Sequence, residues 1–173
     1  MGSDIKIISS KKKMVSNILL TEALGFFDNF RGCYSLDEIE QINPWGFGNV
    51  SSFVINTFEK KIAHGGHWIL ASYWPDRGCL EIFDSLGPNN PIPGQIFDYL
   101  SQYGKVVFAE YAIQHLLSDF CGFYVMGRLI SIHRKQKLQT FLSQFSKLNL
   151  KENDVVIKEG VVSYFRNIGG GQY

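Results

Sequence analysis

Four residues carry side chains that together could open an amide bond: His67, Asp84, Gln114 and Cys121. That chemistry needs a nucleophile, a base beside it, a group to orient the base and donors for the oxyanion. Cys121 stands where a helix is expected to begin. A thiol there meets the positive end of the helix dipole, which favours the reactive thiolate. Gly122 next to it would let a substrate backbone come close. His67 follows Gly65-Gly66, which leave room for an extended substrate, and its neutral imidazole could take the thiol proton. Asp84 closes a strand expected to pair with the strand opened by His67, so its carboxylate could fix the imidazole's tautomer. Gln114, seven residues before Cys121, could donate its side-chain amide to an oxyanion together with the Cys121 N–H.

Each of these residues also has a plainer reading. A lone cysteine is commonly a buried structural one, a histidine can pack beside Trp68, and an aspartate before Ser85 and Gly87 can serve a turn. His64-x-x-His67 could start a metal site, but no further ligands lie at useful spacing. Cys33 and Cys79 have no base near them in sequence and are read as structural. What separates the four residues from these readings is that they agree on one mechanism.

The elements that must position them follow from pattern. Val15 to Phe27 has helical apolar spacing, and 52–57 reads as a buried strand. His67 to Trp74 and Cys79 to Phe83 form a hairpin about the turn Pro75-Asp76-Arg77-Gly78. Pro88 to Pro93 reads as a loop, Gln95 to Tyr103 as a helix and Lys105 to Ala109 as a strand. Ser118 or Asp119 is expected to cap a helix running from Cys121 to about His133. Lys135 to Leu148 repeats the amphipathic pattern, and a last helix is expected behind an Asn153 or Asp154 cap.

The bulk properties bound the class. With 173 residues, 45% of them hydrophobic, the chain suits one domain with a real core. The expected organisation is a polar arm at 1–13, a single domain at 14–168 and a glycine-rich tail at 169–173. A net charge of +1 gives no general electrostatic reason for nucleic acid or membrane as an obligatory partner. Three scattered cysteines build neither a disulfide framework nor a thiolate zinc cage, so a reducing compartment fits and no cofactor is expected. No apolar run approaches the ~20 residues of a membrane span, and no secretory leader is visible.

Three stretches, Gly65-Gly66-His67-Trp68, Ile82-Phe83-Asp84-Ser85-Leu86-Gly87 and Gln114 through Ser118-Asp119-Phe120-Cys121-Gly122, resemble the adenovirus endopeptidase family. They also resemble its wider group, which includes the ubiquitin-like-protein proteases. The order His, acid, Gln, Cys is that group's order. Phe30-Arg31-Gly32-Cys33-Tyr34 and Val54-Ile55-Asn56-Thr57 look like the adenoviral branch in particular. The resemblance covers roughly residues 28 to 130. It implies an α+β fold, a central mixed sheet flanked by helices with the site in a groove.

It also implies a thiol endopeptidase cutting at Gly-Gly or Gly-X sites, with His67, Asp84, Cys121 and Gln114 catalytic. Gly65, Gly66, Trp68 and Gly122 would contact substrate, and viral capsid precursors would be the substrates. The setting implied is the host nucleus or cytoplasm, with the virion as a further location. Asp84 departs from the adenoviral glutamate and matches the ubiquitin-like-protein proteases. No cysteine lies between Cys79 and Cys121 to tether an activating peptide there. An activating peptide or nucleic acid stays open as a partner class. The alternatives are a ubiquitin-like-protein isopeptidase using the same site and an inactive binding module of the same fold. The tail Ile168-Gly169-Gly170-Gly171-Gln172-Tyr173 looks like a cleavage pattern of the same family.

Overall fold

A computed structural model describes residues 15–45, 49–62 and 66–169. The expected arm, most of the tail, Gly65 and His64 lie outside the described residues. Five strands form one mixed sheet in the order in which they occur: β1 (Phe30–Tyr34), β2 (Ser51–Asn56), β3 (Trp68–Trp74), β4 (Cys79–Phe83) and β5 (Lys105–Phe108). β2–β3 and β3–β4 are antiparallel, whereas the outer pairs β1–β2 and β4–β5 are parallel. The central strands are buried on both faces, which explains why 52–57 and 68–74 read as nearly unbroken apolar runs.

Alternation sorts these residues between two cores. Val54, Leu70 and Phe83 face one side, with helices α1 (Asn17–Leu24), α3 (Cys121–His133), α4 (Leu138–Leu142) and α5 (Leu150–Gly169). Phe53, Ile55, Ile69, Ala71, Tyr73, Leu80 and Ile82 face the other, under α2 (Gly94–Leu100) and the 3-10 turn Leu36–Gln41. The α+β arrangement expected from the sequence is the one observed.

α3 is the central helix. Every residue from Cys121 to Ile132 is buried, so the helix is apolar nearly all round. The charged exception is Arg128, fully buried at 0% exposure. Its guanidinium donates Nε–H and Nη2–H to the two carboxylate oxygens of Glu81 on β4, at 2.8 and 2.9 Å. Nη1 satisfies the Ser131 hydroxyl and the Gln136 carbonyl. The bidentate pairing compensates a charge that burial would otherwise penalise heavily.

Local structure departs from the sequence expectations at four places. β1 is a strand that no alternation announced, because all five of its residues are half-buried. The region 135–148 holds helix only over Leu138–Leu142, and Asn153 Oδ1 captures the Ser146 N–H instead. Asn153 and Asp154 do not cap the last helix. Both lie inside α5 and bond across the fold, while Asn149 Oδ1 accepts the Glu152 N–H at its start. Neither Ser118 nor Asp119 caps α3: the cap position is Phe120, without a side-chain bond.

Candidate active site

The antiparallel register sets Leu70 opposite Phe83, so the residues preceding β3 and those following β4 meet at one end of the sheet. His67 is there, held by two bonds to Thr57: its N–H donates to the Thr57 hydroxyl at 3.2 Å, and its carbonyl accepts the Thr57 N–H at 2.9 Å. Gly66 has a φ of +101° and abuts the Asn56 side chain, where a Cβ would collide. Only glycine delivers His67 along this path.

Asp84, 2% exposed, begins a turn closed by the Gly87 N–H onto the Asp84 carbonyl at 3.1 Å. Its Oδ1 accepts the Leu86 N–H at 2.8 Å, an Asx-type bond that orients the carboxylate. Gly87 adopts a φ of +84°, and a Cβ on it would lie 2.6 Å from the Ala112 nitrogen.

His67 Nε2–H donates to Asp84 Oδ1 at 2.5 Å. That leaves Nδ1 as the ring nitrogen available to Cys121, which shares the cleft with His67. Burial alone would lower the imidazole's pKa, but bonds to Asp84 and Cys121, with the charges of both, raise it to about 9. His67 therefore stays protonated through neutral pH, the state that partners a thiolate. Cys121, 9% exposed, opens α3 at the cleft. The first N–H groups of any α-helix lack intrahelical acceptors, so the Cys121 N–H is available to an oxyanion.

Gln114 is 2% exposed. Its Nε2 donates to the Ser118 carbonyl at 2.7 Å, and its Oε1 accepts the Ser85 hydroxyl at 2.5 Å. His67, Gln114 and Cys121 line one cleft of about 820 Å³, whose walls include Gly66, Trp68, Leu86 and Asp119, and Asp84 reaches it through its bond to His67.

Gly122 requires a correction. It is buried and does not line the cleft, and a Cβ there would lie 2.7 Å from the Cβ of Val15. Its missing side chain makes room for the protein's own chain rather than for a substrate backbone. Val15 also accepts a bond from Trp68 Nε1 at 3.0 Å, so it forms a wall of the cleft.

Sequence reasoning passed over Asn90, whose Nδ2 donates to Asp84 Oδ2 at 2.8 Å, as well as Thr57 and Ser85. Asn90 lies in a loop with no periodicity to mark it. Cys33 and Cys79 are free and do not line the cleft. Burial pushes the Cys33 thiol up to about 11 against a bond to Thr21, which keeps it inert at neutral pH. Among the described residues no His/Cys/Asp/Glu group could hold a metal ion. No described helix is long and apolar enough to cross a membrane.

The fold with this cleft is a cysteine-protease fold. It is similar to the SUMO protease Ulp1, solved with its catalytic cysteine oxidised to a sulfinic acid. The TM-score is 0.53 at 13% identity, over 93% of this chain and 82% of that one. It is equally similar to the C-terminal Ulp1 protease domain in complex with Smt3, the yeast ortholog of SUMO. There too the TM-score is 0.53 at 13% identity, over 93% and 81% of the two chains. No family model matches the sequence, and no curated protein matches it. The shared fold is thus that of the wider group within which the adenoviral branch was expected.

Proposed function

We propose that this chain is a cysteine peptidase that cleaves polypeptides at glycine-containing sites. The observation that carries the reading is the His67–Asp84 bond at 2.5 Å, with His67, Cys121 and Gln114 lining one cleft. In the mechanism this supports, the Cys121 proton already rests on His67 Nδ1, and the thiolate of this ion pair attacks the scissile carbonyl carbon. The carbonyl's electron pair moves to oxygen, which accepts from the free Gln114 Nε2–H and the Cys121 N–H. Collapse breaks the C–N bond, and His67 Nδ1–H protonates the leaving amine. Water, deprotonated by the same nitrogen, then attacks the thioester, and expulsion of the thiolate frees the acid and restores the thiolate–imidazolium pair.

Selection for glycine is a matter of space. Trp68, Leu86 and Gly66 line the same cleft as Cys121, so a substrate residue without a side chain passes most easily. Capsid-precursor processing in the host nucleus or cytoplasm belongs to this proposal on the strength of the sequence resemblance. A second reading, an isopeptidase acting on a ubiquitin-like modifier, is favoured by the likeness to a protease solved with Smt3. Release of aminomethylcoumarin from a peptidyl-Gly-Gly substrate, lost in Cys121→Ala, tests the first. A Gly-Gly-linked modifier fusion, cut much faster than the short peptide, would decide for the second. Wild-type protein that labels with a thiol probe yet cuts neither substrate would refute both.

A further inference from the structure

We infer that Ser85 is a positioning residue for the oxyanion donor, a role that rests on the cleavage chemistry proposed above. A glutamine amide can face either way, and only its NH2 end can stabilise an oxyanion. The Ser118 carbonyl can only accept, so it attracts Nε2, while the Ser85 hydroxyl donates to Oε1 at 2.5 Å. With Ser85 1% and Gln114 2% exposed, water does not substitute for the hydroxyl. One Nε2 proton is taken by Ser118, and the other is left for the cleft.

The backbone of Gln114 is held independently. The Ser85 carbonyl accepts the N–H groups of Ile113 and Gln114, both at 2.9 Å. The Ile113 carbonyl accepts Tyr124 Oη–H at 3.0 Å and Asn153 Nδ2–H at 2.9 Å. Removing the Ser85 hydroxyl therefore leaves the Gln114 main chain in place and loosens only the amide, which the Ser118 carbonyl then holds by one end. Consecutive residues thus serve opposite halves of the site: Asp84 orients the base through its carboxylate, and Ser85 orients the oxyanion donor through its hydroxyl.

The test is a double-mutant cycle on peptidyl-Gly-Gly coumarin amide with an alkylation control. Ser85→Ala should lower kcat by about tenfold, less than the ~10²-fold of deleting an oxyanion donor outright. KM should stay within about twofold, since ground-state binding does not use the oxyanion donor. Iodoacetamide alkylation of Cys121, which forms no oxyanion, should keep its wild-type rate. In a Gln114→Ala background, Ser85→Ala should cost nothing more. An unchanged kcat in Ser85→Ala, or losses that multiply in the double variant, overturns the role.

Orientation is also read without turnover, from the Gln114 side-chain amide protons by NMR in Cys121→Ala protein. Their solvent exchange should be about tenfold faster once Ser85 is alanine. Ser85→Thr, which keeps the hydroxyl, should restore the slow exchange. Equal exchange with serine and alanine at 85 overturns the assignment even in a chain that cuts no peptide. Absence of cleavage with normal alkylation would refute the peptidase reading alone.

Discussion

Asp84→Asn replaces one carboxylate oxygen by an amide nitrogen in a site where every partner donates. His67 Nε2–H and the Leu86 N–H point at Oδ1, and Asn90 Nδ2 points at Oδ2. The new NH2 therefore takes the Oδ2 position, where Asn90 can turn its own amide to accept, and the remaining oxygen keeps His67. Geometry survives while charge is lost. The imidazole stands at about 9 because Asp84 and Cys121 outweigh burial. Without the carboxylate's charge, burial gains ground. We expect the His67 pKa to fall by at least ~1.5 units, about 2 kcal/mol at 1.36 kcal/mol per unit. Converted to a barrier, that is about 30-fold in kcat at pH 7. The assay is an NMR titration of the His67 ring from pH 5 to 10 in wild-type and Asp84→Asn proteins, beside peptide hydrolysis. A His67 that still titrates near 9 in Asp84→Asn would refute the assignment of Asp84 as the source of the raised value.

Cys121→Ala should abolish hydrolysis and leave the melting temperature almost unchanged, while Cys33→Ala and Cys79→Ala retain activity in the coumarin assay. Gly122→Ala should destabilise by about 1–3 kcal/mol through overpacking against Val15, read by urea unfolding, with a change in Trp68 fluorescence. Arg128→Ala leaves the Glu81 carboxylate buried without its partner and should cost about 3–5 kcal/mol in the same unfolding assay. The folded pKa of His67 lies above its ordinary 6.5, so its contribution to stability is complete below about pH 6.5 and fades as pH rises through 9. Melting temperatures across that window should decline in the wild type and lose most of the slope in Asp84→Asn.

The legible part of the molecule was what chemistry and local pattern dictate together. The hairpin around 75–78, the helix from Cys121 to His133 and the buried run after Val50 matched the observed elements to within a residue. The four residues with chemistry were legible because their types, in that order, serve one reaction. What was missed depends on contacts between separate elements and loops, which local pattern does not show. Asn90 reaches back to Asp84 from a loop, and Thr57 grips His67 across ten residues. Asn153 looked like a cap because asparagine favours caps, yet its amide satisfies the Ile113 and Ser146 carbonyls across the fold. Gly122 looked permissive toward a ligand because sequence cannot say which chain will fill the space beside a glycine.

The buried Arg128–Glu81 pair has a kinetic consequence. It joins the strand that leads into Asp84 to the helix that begins at Cys121, so neither can detach without stranding a charge in an apolar interior. Partial opening of either half is therefore suppressed, and the two halves form a single cooperative unit. Backbone amides in β4 and α3 should exchange with deuterium together, at the rate of global unfolding.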